Sequence, residues 1–517
     1  MCGIFIIRGT KCCLSYIENE FNKSSKRGPD ASKFMEMSGN YIGFHRLAIN
    51  GLEPSGMQPF IKNNCYLICN GEIYNHKDLY LMLNKTPETG SDCEVILDLY
   101  QQFGIEYTCK ILDGVFAFIL VDGNSVYFAR DPFGVRPLYY FDCGGGIFGA
   151  SSELKSLINF NTKIKQFPPG HFGHFNEKSI VIYNYFSLNS TTLEYSSIYT
   201  GYDYYKTLVK ISLINAVKKR LMSERPIACL LSGGLDSSLI TSIVVNLLPQ
   251  QTIKTFSIGL SGSPDLEYAR KVAKFLRTDH HEVIVTEKEF LEAIPTVIKA
   301  IESYDTTTVR ASVGNYLIAK YIADHYDSKV IFNGDGSDEL TGGYLYFHKS
   351  PSRLHSDSET AKLLSNISYF DVLRSDKCIS SCGLEPRTPF LDKSFVTTYR
   401  SIPLNIRFPI GTIEKKLLRD SFAEYLPHNV LYRQKEAFSD GVSNEKRSWF
   451  KIIEEHVDTI KFKSISVSHN VPITREQEYY RYLYETEYPN TSHIVPYFWM
   501  PRWSDTTDPS ARTLNCS

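Results

Sequence analysis

The run RPIACLL-SGG-LDSSLITSIVVNLL, residues 225–248, constrains the fold of this chain more than any other stretch. An apolar segment of strand length ends in two glycines and passes at once into an apolar segment of helix length. The turn between them therefore presents backbone N–H groups at a helix N-terminus, where an anion such as pyrophosphate is stabilised. Gly233 and Gly234 leave room for close backbone approach, Ser232, Ser237 and Ser238 offer hydroxyls, and Asp236 offers a ligand for Mg²⁺. The alternation goes on through IKTFSIGL, DLEYARKVAKFL, HHEVIVT and KVIF, which predicts a parallel sheet covered by helices and then a mostly helical C-terminal part.

The chain is 517 residues long, more than one hydrophobic core usually supports, so several domains are expected. From Met1 to about Leu188 the pattern is different: short β-rich runs such as YIGFHRLAI, NCYLICNGEIY, GVFAFILVDG and SVYFARD are broken by Gly, Pro, Asn and Asp turns. These predict layered antiparallel sheets with few helices. SLNSTTLEYSSIYTGY, residues 187–202, lacks helical or alternating periodicity and reads as a linker. The expected domains are therefore 1–190 and 202–517.

A formal charge of -1 gives no broad basic field for nucleic acid, and no apolar run approaches the roughly 18 to 20 residues of a membrane span. The start MCGIFIIRGTK has too short an apolar core for a signal peptide, so a cytosolic location is the default expectation. The 12 cysteines form no regular framework, which favours reduced structural thiols over disulfides or zinc.

Cys2 stands apart, because removal of Met1 would make it N-terminal and its own amine could then take the thiol proton. An amine of that kind titrates near ~8, which suits hydrolysis of a carboxamide through a thioester. Arg46 in GFHRLAI can hold a free amino acid by its carboxylate, Asp92 in GSDCE can take its ammonium group, and Asn70 with Gly71 in NGEIYN can stabilise an oxyanion. Taken singly these residues read as a surface Arg, a helix-capping Asp and an Asn-Gly hairpin turn.

MCGIF, RGPD, HRLAI, NGEIYNH, TGSDCEVI, RDPFGVRPLYY, SSELKSL and FPPGHF together resemble the class II glutamine amidotransferase domain, an αββα fold of the Ntn-hydrolase type. The resemblance implies that Cys2 is the nucleophile, that Arg46, Glu72 and Asp92 bind glutamine, and that Asn70 and Gly71 form the oxyanion hole.

In the second half, SGGLDSS resembles the loop of ATP pyrophosphatases, whose domain is Rossmann-like and which cleave ATP between its α- and β-phosphates. The resemblance places ATP on Leu230, Leu231, Ser232, Gly233, Gly234, Asp236, Ser237 and Ile258, and on Asn333 and Gly334 of a second loop, NGDGSDELTGGY. It places Mg²⁺ on Asp236 and Asp338, and Lys435 of YRQKEAFSDGV beside the α-phosphate. YDTTTVRAS, DVLRSDK, EPRTPFLD and WMPRWSDTTDPSARTL are similar to the asparagine synthetase family in particular. That likeness implies an aspartate pocket of Thr307, Arg310, Glu339, Asp371 and Arg374.

One departure stands out. The family reads SGEGSDE where this chain reads NGDGSDE, so Asn333 replaces Ser and Asp335 replaces Glu. A carboxylate expected to act in the reaction is shortened by one methylene, and a local backbone shift is the expected compensation. The resemblance as a whole implies asparagine made from aspartate, glutamine and Mg-ATP through a β-aspartyl-AMP, with small-molecule substrates only and a homodimer left open. The rivals are a β-lactam-forming relative that keeps the pyrophosphatase loop, and a non-catalytic regulatory homologue.

Overall fold

The computed structural model describes residues 1–10, 12–160, 162–176, 178–188, 201–434, 441–443 and 447–510. The first half is built on two antiparallel sheets. One has the strand order β10 (Lys165–Gln166), β8 (Tyr139–Gly144), β9 (Ile147–Ser151), β1 (Gly3–Arg8), β3 (Asn40–Arg46) and β2 (Ala31–Met37), so β1 lies between β3 and β9. The other has the order β12 (Ile180–Asn184), β11 (His171–Phe175), β7 (Ser125–Arg130), β6 (Gly114–Asp122), β5 (Cys65–Ile73) and β4 (Phe60–Lys62), with β5 along β6.

Strand alternation explains the layering. In β1, Ile4 and Ile6 point between the sheets and meet Ile68, Ile119 and Phe128, whereas Phe5 and Ile7 point outward onto Ile17 and Phe21 of the helix Leu14–Asn22. In β5, Leu67 and Cys69 face the helices His76–Leu83 and Val95–Ile111 on the outer side. Ile68 faces inward, so Asn70 and Glu72, two and four residues on, also face the first sheet and the start of β1. The sequence-derived runs YIGFHR, CYLICNGEI, GVFAFILVD and SVYFAR are all strands here.

The second half holds one parallel sheet of order β15-β14-β13-β16-β17: Asp279–Val285, Lys254–Leu260, Ile227–Leu230, Val330–Phe332 and Glu385–Arg387. Chain order runs outward in one direction from β13 and then, from β16, in the other. The switch point lies between these two strands, and ligands of such sheets bind outside the strand ends there. Helices Leu235–Leu247 and Thr306–His325 cover the sheet, and the C-terminal part is helical and irregular, as its pattern predicts. No helix among the described residues is long and apolar enough to cross a membrane. Most of the proposed linker, residues 189–200, lies outside the described residues.

The two halves meet through buried ion pairs. Arg27, 2.8 Å from Glu153 of its own half, lies 2.8 Å from Asp376 of the other, Arg136 Nη1 lies 3.4 Å from the same Asp376, and Arg387 Nη2 of β17 lies 3.5 Å from Glu72 Oε2. A charge at this depth is tolerated only when paired. These contacts therefore fix which face of the sandwich meets the parallel sheet.

Candidate active sites in the two halves

Cys2 sits at the mouth of the two-sheet sandwich, its Sγ directed to the Leu47 carbonyl at 3.7 Å. Burial pushes this thiol up to about 11 and the Met1 amine down to about 6. An amine at this depth is thus largely neutral at physiological pH, as a base for the thiol must be.

Asn70 is wholly buried, and neither its Oδ1 nor its Nδ2 has a hydrogen-bond partner among the described residues. Such an orphaned amide costs free energy unless something polar comes to it, and an oxyanion at the Cys2 end would do so. It lies mid-strand, opposite Ala117, so the hairpin-turn reading of Asn-Gly fails. Gly71 is needed because a Cβ there would stand 2.4 Å from the Val115 carbonyl of β6.

Arg46 ends β3 and donates from Nη1 to the Glu53 carbonyl at 3.0 Å and from Nη2 to the Gly51 carbonyl. Asp92 accepts from the Ile73 N–H at 2.6 Å, and Glu72 accepts from Asn50 Nδ2 at 2.5 Å. Burial, then Asp92, pushes the Glu72 carboxyl well above its usual range, and burial raises Asp92 as well. Two buried carboxyls in this state are relieved by an incoming ammonium group.

At the switch point one cleft collects most of the residues expected in the second half: Leu230, Leu231, Ser232, Gly234, Asp236, Ser237, Ile258, Thr307, Asn333, Gly334, Asp335, Asp338, Glu339, Asp371 and Arg374. Gly233 shapes the loop from behind. Its φ is +73°, and a Cβ would stand 2.5 Å from the Ala269 nitrogen. Ser232 Oγ and Ser237 Oγ lie 2.9 Å apart across the mouth of the turn. The second loop touches the first: a Cβ on Gly334 would lie 2.8 Å from the Asp236 backbone.

Lys415, which the sequence did not single out, is the cation that joins the two loops of this cleft. Its Nζ donates to Asp236 at 2.8 and 2.6 Å and lies 2.5 Å from Asp338 Oδ1, with the side chain 1 % exposed. Asp236 also accepts from Ser337 Oγ at 2.8 Å. No cluster of three or more metal-ligating side chains exists among the described residues. What the fold offers is a pair of carboxylates facing the phosphate loop, the donor set with which Mg²⁺ is held jointly with substrate phosphates.

Asp335 reaches Arg374 Nη2 at 3.0 Å, and the same nitrogen donates to Asp371 at 2.8 Å. The shortened carboxylate is therefore secured from the far wall of the cleft. Asn333 uses its longer side chain to donate to Ser375 Oγ at 2.7 Å on the helix that carries Arg374. Glu339 and Asp371 both accept from the Tyr344 hydroxyl. Burial, then Asp371, pushes Glu339 well above the carboxylate range. At Asp371 burial is outweighed by Arg374, which holds it low. Of the two, Glu339 therefore holds a proton more readily than Asp371.

Arg310 does not line the cleft. Its guanidinium is spent on Glu476 at 2.8 and 2.5 Å and on Asp508 at 3.0 and 2.7 Å, so it braces the C-terminal part against the helix that carries Thr307. Four of its five N–H donors are engaged there and it is 4 % exposed, so the structure does not bring it together with the other residues of the expected aspartate pocket. Lys435 lies outside the described residues.

An N-terminal thiol on a double antiparallel sheet, joined to a glycine-serine loop at the switch point of a parallel one, defines the class of glutamine-dependent amidotransferases with an ATP-pyrophosphatase domain. The family model for the glutamine amidotransferase domain matches residues 1–167, and that for asparagine synthase matches 208–365 and 353–464. The chain is 44% identical to the glutamine-hydrolysing asparagine synthetase of Gallus gallus and 43% identical to that of Mus musculus, in each case over 99% of this chain and 98% of the relative. The corresponding protein of Homo sapiens is 42% identical over the same shares. The chain belongs to the glutamine-hydrolysing asparagine synthetase family.

Proposed function

We propose that this enzyme makes L-asparagine from L-aspartate and ATP with glutamine as nitrogen donor, releasing glutamate, AMP and pyrophosphate. The observation that carries the reading is the cleft at the switch point, where Lys415 links Asp236 of the SGGLDSS loop to Asp338 of the second loop. It stands beside a glutamine pocket whose Cys2, Arg46, Asn70 and Asp92 are all present.

Domain 1–190 performs the first step after loss of Met1. The Cys2 amine takes the thiol proton, sulfur attacks the glutamine carboxamide, and Asn70 Nδ2 with the Gly71 N–H receives the oxyanion. Arg46 grips the α-carboxylate, and Asp92 and Glu72 grip the ammonium group. Ammonia leaves, and water frees glutamate from the thioester.

Domain 202–517 activates aspartate. Leu230, Leu231 and Ile258 flank adenine, Ser232, Gly233, Gly234 and Ser237 cradle the phosphates, and Asn333 and Gly334 close the loop beside them. Asp236 and Asp338 are the residues that would hold Mg²⁺, whose charge would offset that of the triphosphate. Lys435 serves the α-phosphate. Thr307, Glu339, Asp371 and Arg374 orient aspartate, and Arg374 steadies Asp335 for the attack of ammonia on β-aspartyl-AMP. Because ammonia is mostly protonated in neutral water, it crosses inside the protein, between the halves. The reaction is cytoplasmic, and the enzyme can act as a homodimer.

Incubation with glutamine, aspartate and Mg-ATP tests this by product analysis: asparagine, AMP and pyrophosphate in equal amounts are expected, and ADP as the nucleotide product contradicts it. The pH dependence is a second test. The Cys2 amine must be neutral to accept the proton, so glutaminase kcat/KM falls as acidification charges it and levels off at higher pH. The ammonium-supported rate keeps rising with pH, since only free ammonia attacks. Parallel profiles for the two nitrogen sources would remove the amine from its assigned role.

A further inference from the structure

The loop 47–51 follows Arg46 and shapes the glutamine pocket, yet much of what holds it comes from the other half of the chain. Arg225 Nε donates to the Ala48 carbonyl at 2.9 Å, the Glu224 N–H donates to the Ile49 carbonyl at 3.0 Å, and the Gly51 N–H donates to Glu224 Oε1 at 2.6 Å. Arg225 Nη2 also lies 3.6 Å from Asp30, whose carboxylate accepts from the Ala48 N–H at 2.8 Å. Three anchor points on one short loop, at Ala48, Ile49 and Gly51, are thus supplied by two residues of the turn before β13.

Gly51 links both ends of the amino-acid pocket. Its carbonyl accepts from Arg46 Nη2, the group assigned to the glutamine carboxylate. Its backbone, at φ +60°, packs so tightly on Gly90 and Ser91 that a Cβ would stand 2.5 Å from the Gly90 carbonyl carbon and 2.7 Å from the Ser91 nitrogen. Asp92, the residue assigned to the glutamine ammonium group, follows directly. A displacement of Gly51 therefore moves the carboxylate grip and the ammonium grip together.

We propose that Glu224 and Arg225 are positioning residues for glutamine, through which the synthetase half completes the head-group pocket of the glutaminase half. The proposal rests on the assignment of Arg46 and Asp92 to glutamine. The same turn opens the strand whose far end carries Ser232, so the loop that grips glutamine and the loop that grips phosphate are attached to opposite ends of β13. Both residues act through the loop backbone and touch no reacting atom.

Steady-state kinetics of the full-length enzyme test this with Glu224→Ala, Glu224→Gln and Arg225→Met, using glutamine and ammonium as alternative nitrogen sources. Loss of a positioning contact weakens ground-state binding, so Glu224→Ala is expected to raise the glutamine KM about tenfold with little change in kcat. Its ammonium-dependent rate should be unaltered. Glu224→Gln keeps the acceptor oxygen and should restore most of the affinity, while Arg225→Met should act in the same direction as Glu224→Ala. Glutamate release from glutamine is read in the same samples, so the comparison of KM values stands whatever becomes of the nitrogen; a wild type that makes no asparagine counts against the proposed function alone. An unchanged glutamine KM in Glu224→Ala overturns the proposal. So does an equal fall in glutamine- and ammonium-dependent rates with a lowered Tm, which would mark the turn as domain packing only.

Discussion

Cys2→Ala is expected to lower asparagine formation from glutamine by about a thousandfold or more, because no other group in the pocket can form the thioester. Formation from ammonium salts should continue at the wild-type rate. The thiol lies on the β1 side of the sandwich, whereas the aspartate-activating cleft lies at the switch point of the separate parallel sheet, so removing one sulfur disturbs no contact there. The measurement is asparagine yield with each nitrogen source, with thermal unfolding as a control for folding. A folded variant that has lost both activities would contradict the separation of the two sites.

Asp236→Asn should do the reverse. Asp236 receives two hydrogen bonds from Lys415 and one from Ser337, in a cleft where Lys415 is almost wholly buried. Neutralising it removes one of the two carboxylates offered to Mg²⁺ and leaves Lys415 under-compensated, so asparagine formation from either nitrogen source should fall about a thousandfold. Glutamate release from glutamine should survive, since the Cys2 pocket is untouched. Retention of aspartate-dependent pyrophosphate release near the wild-type rate would remove Asp236 from the nucleotide site.

The fold was readable wherever periodicity does the physical work. The alternation in YIGFHR and GVFAFILVD and the switch from strand to helix across SGGLDSS each map onto an element, because side-chain spacing decides which face is buried. As isolated residues Asn70 and Gly71 suggested a turn, and only the pairing of β5 along β6 shows them to lie mid-strand. Lys415 was not legible: in GTIEKKLLRD it looks like one of several solvated cations. Only a left-handed backbone at φ +58° and two carboxylates from distant loops turn it into the cleft. Arg310 is the converse case, grouped in sequence with residues from which the structure sets it apart. Its partners Glu476 and Asp508 lie 166 and 198 residues further along, a separation over which no local pattern carries information.

The clamp around Arg310 changes what the end of the polypeptide means. Trimming a carboxyl terminus is ordinarily tolerated, because the last residues of most domains carry few contacts. Here Asp508 supplies half of the charge that keeps a buried guanidinium paired, next to the helix bearing Thr307. A stop codon a dozen positions early would not shave off an idle fringe, but would pull a keystone from beneath the wall of the aspartate pocket.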